Sequence, residues 1–159
     1  DLIGTTAPGS RKLLERARRD LATERRLLEA TSEQHERLLD AFLRAITSGD
    51  VAAVVQLLAE DAVLVTDGGP DGRRVEGRRN LDQPLDGPAR IAAFIVAVNT
   101  RGGGVLRSVH RELNGQPAIV FWAGDELVGA MLLGIVGDRI ARVYFHADER
   151  RLRHAGVRH

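Results

Sequence analysis

The chain has 159 residues, 23 basic and 22 acidic side chains, 43% apolar residues and no cysteine. That length suits one domain of ordinary size with a short appendage, and the apolar fraction suffices for a core. No apolar run approaches the roughly 18–20 residues of a membrane-spanning helix. Asp1-Leu2-Ile3-Gly4 lacks the basic start and apolar stretch of a secretory signal. The absence of cysteine excludes a disulfide framework and thiolate metal ligation. Lys12 is the single lysine, so the net charge of +1 is an arginine–carboxylate balance. A first residue of Asp instead of Met reads as a fragment of a longer protein.

Residues 1–30 form the first part. Leu13, Leu14, Ala17 and Leu21 recur at helical spacing among Arg11, Lys12, Arg16, Arg18, Arg19, Arg25 and Arg26. This predicts one basic amphipathic helix whose apolar face is too narrow to be a domain. It has to pack on the rest of the chain or on something outside it.

Residues 31–146 read as the domain proper. Thr31-Ser32-Glu33-Gln34 is a capping-box pattern, with Leu38, Leu39, Phe42, Leu43 and Ile46 as the apolar face of the helix it opens. Gly49 stops that helix and Asp50 caps the next, from Val51 to Leu58. Ala62 to Val65 is a short strand ending in the Thr66–Pro70 turn. Residues 71–86 read as a loop with one short strand around Arg74-Val75-Glu76. Pro88 opens a helix with Ile91, Phe94, Ile95 and Val98 as its buried stripe. Strand periodicity follows from Val105 to Leu113, then Asn114-Gly115, a hairpin signal. Pro117–Ala123, Leu127–Val136 and Arg139–Phe145 complete about four consecutive antiparallel strands. Leu127–Val136 is apolar on both parities, as a strand covered on both faces would be. Helices grouped ahead of hairpin-linked strands predict an α+β domain with a curved sheet wrapping the helices into a cone. Residues 147–159 are a basic tail with one short helix.

The run Asp50-Val51-Ala52-Ala53-Val54-Val55-Gln56-Leu57-Leu58-Ala59-Glu60-Asp61-Ala62-Val63-Leu64 resembles the start of the SnoaL-like domain in one group of proteins. These are the SigJ-like extracytoplasmic-function RNA polymerase sigma factors, which carry a C-terminal SnoaL-like extension of the nuclear-transport-factor-like superfamily. Asp67-Gly68-Gly69 stands where that group has Asp-Gly-Gly-Gly-Lys, with Pro70 and Asp71 replacing Gly and Lys. Asn114-Gly115-Gln116-Pro117-Ala118 resembles its hairpin. Ile3-Gly4-Thr5-Thr6 with Arg11–Arg19 resembles the end of sigma region 4, a helix-turn-helix. Asp148-Glu149-Arg150-Arg151-Leu152 occupies the place of Asn-Pro-Asp-Lys-Leu, with only Leu152 kept.

The resemblance implies a C-terminal regulatory domain of an alternative sigma factor. It modulates promoter-directed transcription initiation in the cytoplasm, with RNA polymerase core and promoter DNA as partners of the whole protein. By helix-turn-helix geometry Ala7, Pro8, Ser10 and Arg11 lie nearest the bases, and Lys12, Arg16 and Arg18 are phosphate candidates. Asp67, Gly68, Gly69 and Leu152 are the expected contacts with the sigma regions. The alternative is a SnoaL-like or ketosteroid-isomerase-like small-molecule binder or enzyme, built on Asp61, His110, Trp122, Tyr144 and His146. No spacing signature links any two of these, and the 4% aromatic content argues against a large planar substrate. A homodimer through the outer sheet face is a third reading. The expectation is therefore no catalytic residue, no cofactor, and no metal site, since the five histidines lack paired ligand spacing.

Overall fold

The computed structural model describes residues 30–68, 74–75, 78–79, 81, 83–101 and 106–154. The basic segment carrying Ser10, Arg11, Lys12, Arg16 and Arg18 lies outside the described residues, as do Gly69, Pro70 and Asp71.

Helix α1 spans Ser32–Thr47 and opens on a complete capping box. The Gln34 amide donates to Thr31 Oγ1 at 3.2 Å, and the Thr31 amide donates to Gln34 Oε1 at 3.0 Å. Each bond satisfies a backbone donor in the first turn that has no helical partner. The helix buries Leu38, Leu39, Phe42, Ala45 and Ile46 and ends where Gly49 takes a left-handed φ of 74°. Helix α2, Val51–Leu57, is capped by Asp50, whose carboxylate accepts from the Ala53 amide at 2.9 Å. Helix α3 runs Pro88–Arg101.

The strands are β1 (Leu58–Asp67), β2 (Arg74–Val75), β3 (Arg78–Arg79), β4 (Leu85–Asp86), β5 (Leu106–Leu113), β6 (Gln116–Ala123), β7 (Glu126–Val136) and β8 (Arg139–His146). Six of them form one sheet in the order β4-β1-β8-β7-β6-β5, while β2 and β3 pair apart as a small hairpin. A final helix, α4, spans Glu149–His154. The fold is α+β: α1 and α2 precede β1–β4, α3 follows them, and β5–β8 complete the mixed, curved sheet before α4. Register shifts between Phe121 and Trp122 and between Gly134 and Ile135 interrupt the ladders, a device that bends and twists a sheet. Asn114 and Gly115, at φ 54° and 75°, make the β5–β6 turn, as two positive angles in a two-residue hairpin require.

Three expectations change. The first strand is ten residues long, not four, because Leu58–Asp61 and the expected turn residues Thr66 and Asp67 also belong to it; a register shift between Leu58 and Val63 accommodates the polar Glu60 and Asp61. This strand pairs with β8 in parallel, so the sheet is not wholly antiparallel. Val98 is 42% exposed and lies outside the stripe of α3, whereas Ile91 is buried, Phe94 and Ile95 pack against the core as expected, and Ala92 and Val96 join them.

The two sheet faces carry separate cores. On the helix side Leu39, Phe42, Ile91, Ile119, Leu133 and Ile140 are all between 0 and 1% exposed. On the other side Ala118, Val120, Trp122, Ala130 and Leu132 pack with Leu152 of α4. Strand β7 supplies both clusters, Met131, Leu133 and Ile135 inward and Ala130 and Leu132 outward, as its two-sided apolar pattern predicted.

Candidate regulatory corner and the dispersed pocket residues

Parallel pairing places Asp67, the last residue of β1, beside His146, the last residue of β8. The Asp67 carbonyl accepts from the Ala147 amide at 2.7 Å, which carries the chain out of the sheet. Asp67 Oδ2 lies 4.0 Å from His146 Nδ1, an ion-pair distance when the imidazole is protonated and too long for a hydrogen bond. Two residues on, Asp148 caps α4: its carboxylate accepts from the Arg150 amide at 3.0 Å and its carbonyl from the Leu152 amide. The cap directs α4 back over the sheet, and Leu152 is buried there at 4% exposure. One corner of the fold thus brings together Asp67, Gly68, His146, Asp148 and the helix bearing Leu152. Nothing in their spacing along the chain joins them.

The pocket candidates are not brought together. Asp61 is an exposed residue of β1, whose carbonyl accepts from Arg142 at 3.3 Å. His110 is exposed on β5, and its Nε2 lies 2.8 Å from Asp40 Oδ1 on α1. That contact ties a helix to the edge strand. Trp122 is 4% exposed in the outer cluster, with the Arg107 guanidinium 5.7 Å from its ring centroid, a cation–π distance. Tyr144 packs against the same cluster, on the face away from the helices. Trp122 and Tyr144 lie in the outer cluster, and Asp61, His110 and His146 reach solvent, so the five do not converge in the space between helices and sheet. Aliphatic side chains and Phe42 fill that space. A shallow groove of about 590 Å³ between α1 and α2 is lined by Arg44, Ser48, Gln56 and small apolar residues, and offers no acid–base pair.

His35 is a feature that sequence reading passed over, because it sits among polar residues at the start of α1. It is 6% exposed. Its Nδ1 is 3.2 Å from the Thr31 carbonyl, which can only accept, so Nδ1 carries the proton. Among the described residues its buried Nε2 has no hydrogen-bond partner. Among the described residues no group of three or more His, Asp or Glu is placed to hold a metal ion. Among them, too, no helix is long and apolar enough to cross a membrane.

No family model matches the chain. It is 26% identical over 142 residues to "Probable ECF RNA polymerase sigma factor SigI" of Mycobacterium tuberculosis; the alignment covers 89% of this chain and 44% of that protein. The chain therefore spans less than half the length of the curated relative it matches. Among solved structures, the extracytoplasmic function sigma factor SigJ of M. tuberculosis superposes with a TM-score of 0.58 at 18% identity, covering 98% of this chain and 54% of that one. A SnoaL-like protein of unknown function from Burkholderia thailandensis superposes with a TM-score of 0.51 at 15% identity, covering 74% of this chain and 97% of that one. The chain is a distant relative of the SigI and SigJ type of extracytoplasmic-function sigma factor, with a SnoaL-like, nuclear-transport-factor-like fold.

Proposed function

We propose that this chain is the C-terminal regulatory part of an alternative RNA polymerase sigma factor. In the whole protein it tunes promoter-directed transcription initiation by contact with the sigma regions, in the cytoplasm, with RNA polymerase core and promoter DNA as partners. Ser10, Arg11, Lys12, Arg16 and Arg18 are the proposed DNA contacts. Residues 31–146, with the tail 147–159, form the regulatory body.

The observation that carries this reading is the corner. Asp67 and the Asp148–Leu152 segment are two of the places where the chain resembles sigma-factor motifs, and Asp67 is hydrogen-bonded to Ala147, the residue just before that segment. A contact surface needs its groups on one patch, and this is one patch. The regulatory effect follows from two-state logic: a domain that binds one arrangement of the DNA-binding regions more tightly shifts the population toward it. The isomerase-like alternative has less support, since its acid, base and aromatic groups lie on different faces of the fold.

The test is transcription from a cognate promoter by RNA polymerase with the full-length protein. The variants are Asp67→Arg and a deletion of residues 31–159. Both are expected to change transcript yield severalfold, the substitution with its circular dichroism spectrum unchanged. Unchanged promoter-directed transcription in the deletion variant would refute the reading.

A further inference from the structure

The turn between β5 and β6 joins Asn114 directly to Gly115, and both residues are exposed. An asparagine carboxamide is open to attack by the backbone nitrogen of the next residue, which closes a five-membered imide. Glycine at that next position leaves the nitrogen unshielded by a side chain. Asn114-Gly115 is the one Asn-Gly pair in the sequence; Asn80 and Asn99 precede Leu81 and Thr100. Asn99 is also held within helix α3, and its carboxamide donates to the Ile46 carbonyl at 3.2 Å. The backbone of the hairpin suits the cyclisation. With φ at 54° and 75°, Asn114 and Gly115 form a type I′ turn. The imide ring is flat, so the Gly115 nitrogen must eclipse the Asn114 Cβ. A type II′ turn meets that demand at its first central residue, with φ about +60° and ψ about −120°. Asn114 already has that φ. Passing from I′ to II′ rotates the single peptide plane between the two residues and carries Gly115 to negative φ, which glycine adopts as readily as positive. Both turn types close two-residue hairpins, so the ladder from Leu106↔Ala123 to Leu113↔Gln116 stays paired. A Cβ built at Gly115 meets nothing within 4 Å, so the plane turns in open space.

We propose that Asn114 is a site of self-modification, deamidating through an imide while the hairpin stays folded. The Gly115 nitrogen attacks Asn114 Cγ, its proton passes through solvent to the departing carboxamide nitrogen, and ammonia leaves. Water, the one co-reactant, then opens the imide at either of two C–N bonds. Cleavage at Cγ gives aspartate. Cleavage at the backbone carbonyl gives isoaspartate, in which the chain runs through Cβ and Cγ. The two products act differently on the fold. Aspartate adds a negative charge and leaves Asp-Gly, a pair that type I′ turns also favour. Isoaspartate adds one backbone atom to a two-residue loop, which then no longer closes squarely on the Leu113↔Gln116 pair. Leu113 is 6% exposed in the outer cluster, and His110 of the same strand contacts Asp40 of α1. The isoaspartate form therefore loosens an edge strand from both of its attachments, without any enzyme. The inference stands independently of the sigma-factor reading.

The test is timed incubation of the full chain in mildly alkaline buffer, followed by trypsin and mass spectrometry. Cleavage after Arg111 and Arg139 isolates Asn114 in the peptide Glu112–Arg139, which has no other asparagine. That peptide is expected to gain the mass of an NH2-to-OH exchange and to split into two chromatographic species. One of them should accept a methyl group from S-adenosylmethionine in the presence of isoaspartyl methyltransferase. The rate in the native chain is expected to lie within a few-fold of the rate in urea and severalfold above that at Asn99. Hydroxylamine, which traps the imide, is expected to cut the native chain between Asn114 and Gly115. The purified isoaspartate form is expected to melt at a lower temperature than the Asn114→Asp variant, which keeps the turn. A mass gain confined to the urea-treated chain overturns the proposal, because the folded hairpin would then be protecting the turn. So does a product that is aspartate alone, which would mean hydrolysis without the imide. An isoaspartate form as stable as Asn114→Asp would overturn the structural consequence.

Discussion

The two faces of the sheet are built differently. The inner face is closed by three helices through aliphatic side chains and Phe42, and its members are large and nearly all fully buried. The outer face carries the amphipathic aromatics: Trp122, with Arg107 over its ring, and Tyr144 beside the cluster. Its described cover is six residues of helix anchored by one leucine. Dispersion and hydrophobic burial favour many close apolar contacts, which the inner face has. Aromatic rings with polar tips suit surfaces that meet other polypeptide, which is the character of the outer face. The inner face is the larger core, and the outer face is a smaller cluster edged by polar-tipped aromatics.

Substitutions measured by chemical denaturation test this contrast. Phe42→Ala empties the centre of the inner cluster and is expected to cost about 3–5 kcal/mol, a large share of the ~5–15 kcal/mol of an ordinary domain. An effect smaller than that of the outer-face change would reverse the comparison. Leu152→Ala removes the anchor of α4 and is expected to cost about 2 kcal/mol, near the low end for buried leucines, because a terminal helix can relax over the gap. It should also red-shift Trp122 emission, which Phe42→Ala need not do before unfolding.

Gly129→Ala probes how tightly the sheet itself is packed. A Cβ there would stand 2.7 Å from Cζ of Phe145 and 2.8 Å from the His146 carbonyl oxygen. The Phe145 ring already packs with Phe121, at 6.0 Å between centroids, and the carbonyl belongs to the β7–β8 ladder. Neither neighbour moves freely, so a loss of about 1–3 kcal/mol is expected. The smallest effect belongs to the His110–Asp40 pair, whose side chains are 56% and 47% exposed. A double-mutant cycle with His110→Ala and Asp40→Ala is expected to give a coupling of about 0–1 kcal/mol. A larger coupling would mean that this edge contact, and not the buried face, holds α1 in place.

Much of the fold is legible in the residues. The capping box at Thr31, the stop at Gly49, the Asp50 cap and the Asn114-Gly115 turn act through neighbours in sequence, and each appears where its chemistry requires. The two-sided pattern of β7 also survives, because a strand buried on both faces needs apolar residues at both parities. The extent of β1 was less legible: Glu60 and Asp61 look like loop residues, and only an irregular register with β8 keeps them in the ladder. Strand β4 has two residues between Pro84 and Gly87, too few to show a period. For the candidate site, resemblance drew attention to Asp67 and Leu152 separately. Their joining through Ala147 and Asp148 had no signal in the spacing. The burial of His35 was equally silent, since its neighbours in sequence are Gln34 and Glu36.

The amino-acid sequence by itself determined the α+β class, the order of helices and strands, and the turns between them. Those properties rest on backbone geometry and side-chain period within about one or two turns of chain. The tertiary structure decided that β1 runs parallel to β8, and so that Asp67 meets His146 and Ala147 at one corner. It also decided that Trp122 and Tyr144 point away from the helices, and that Leu152 is part of a core. Pairing between distant strands follows the apolar surface buried by the whole sheet, summed over both faces. That sum depends on every element at once, which is why no local pattern recorded it.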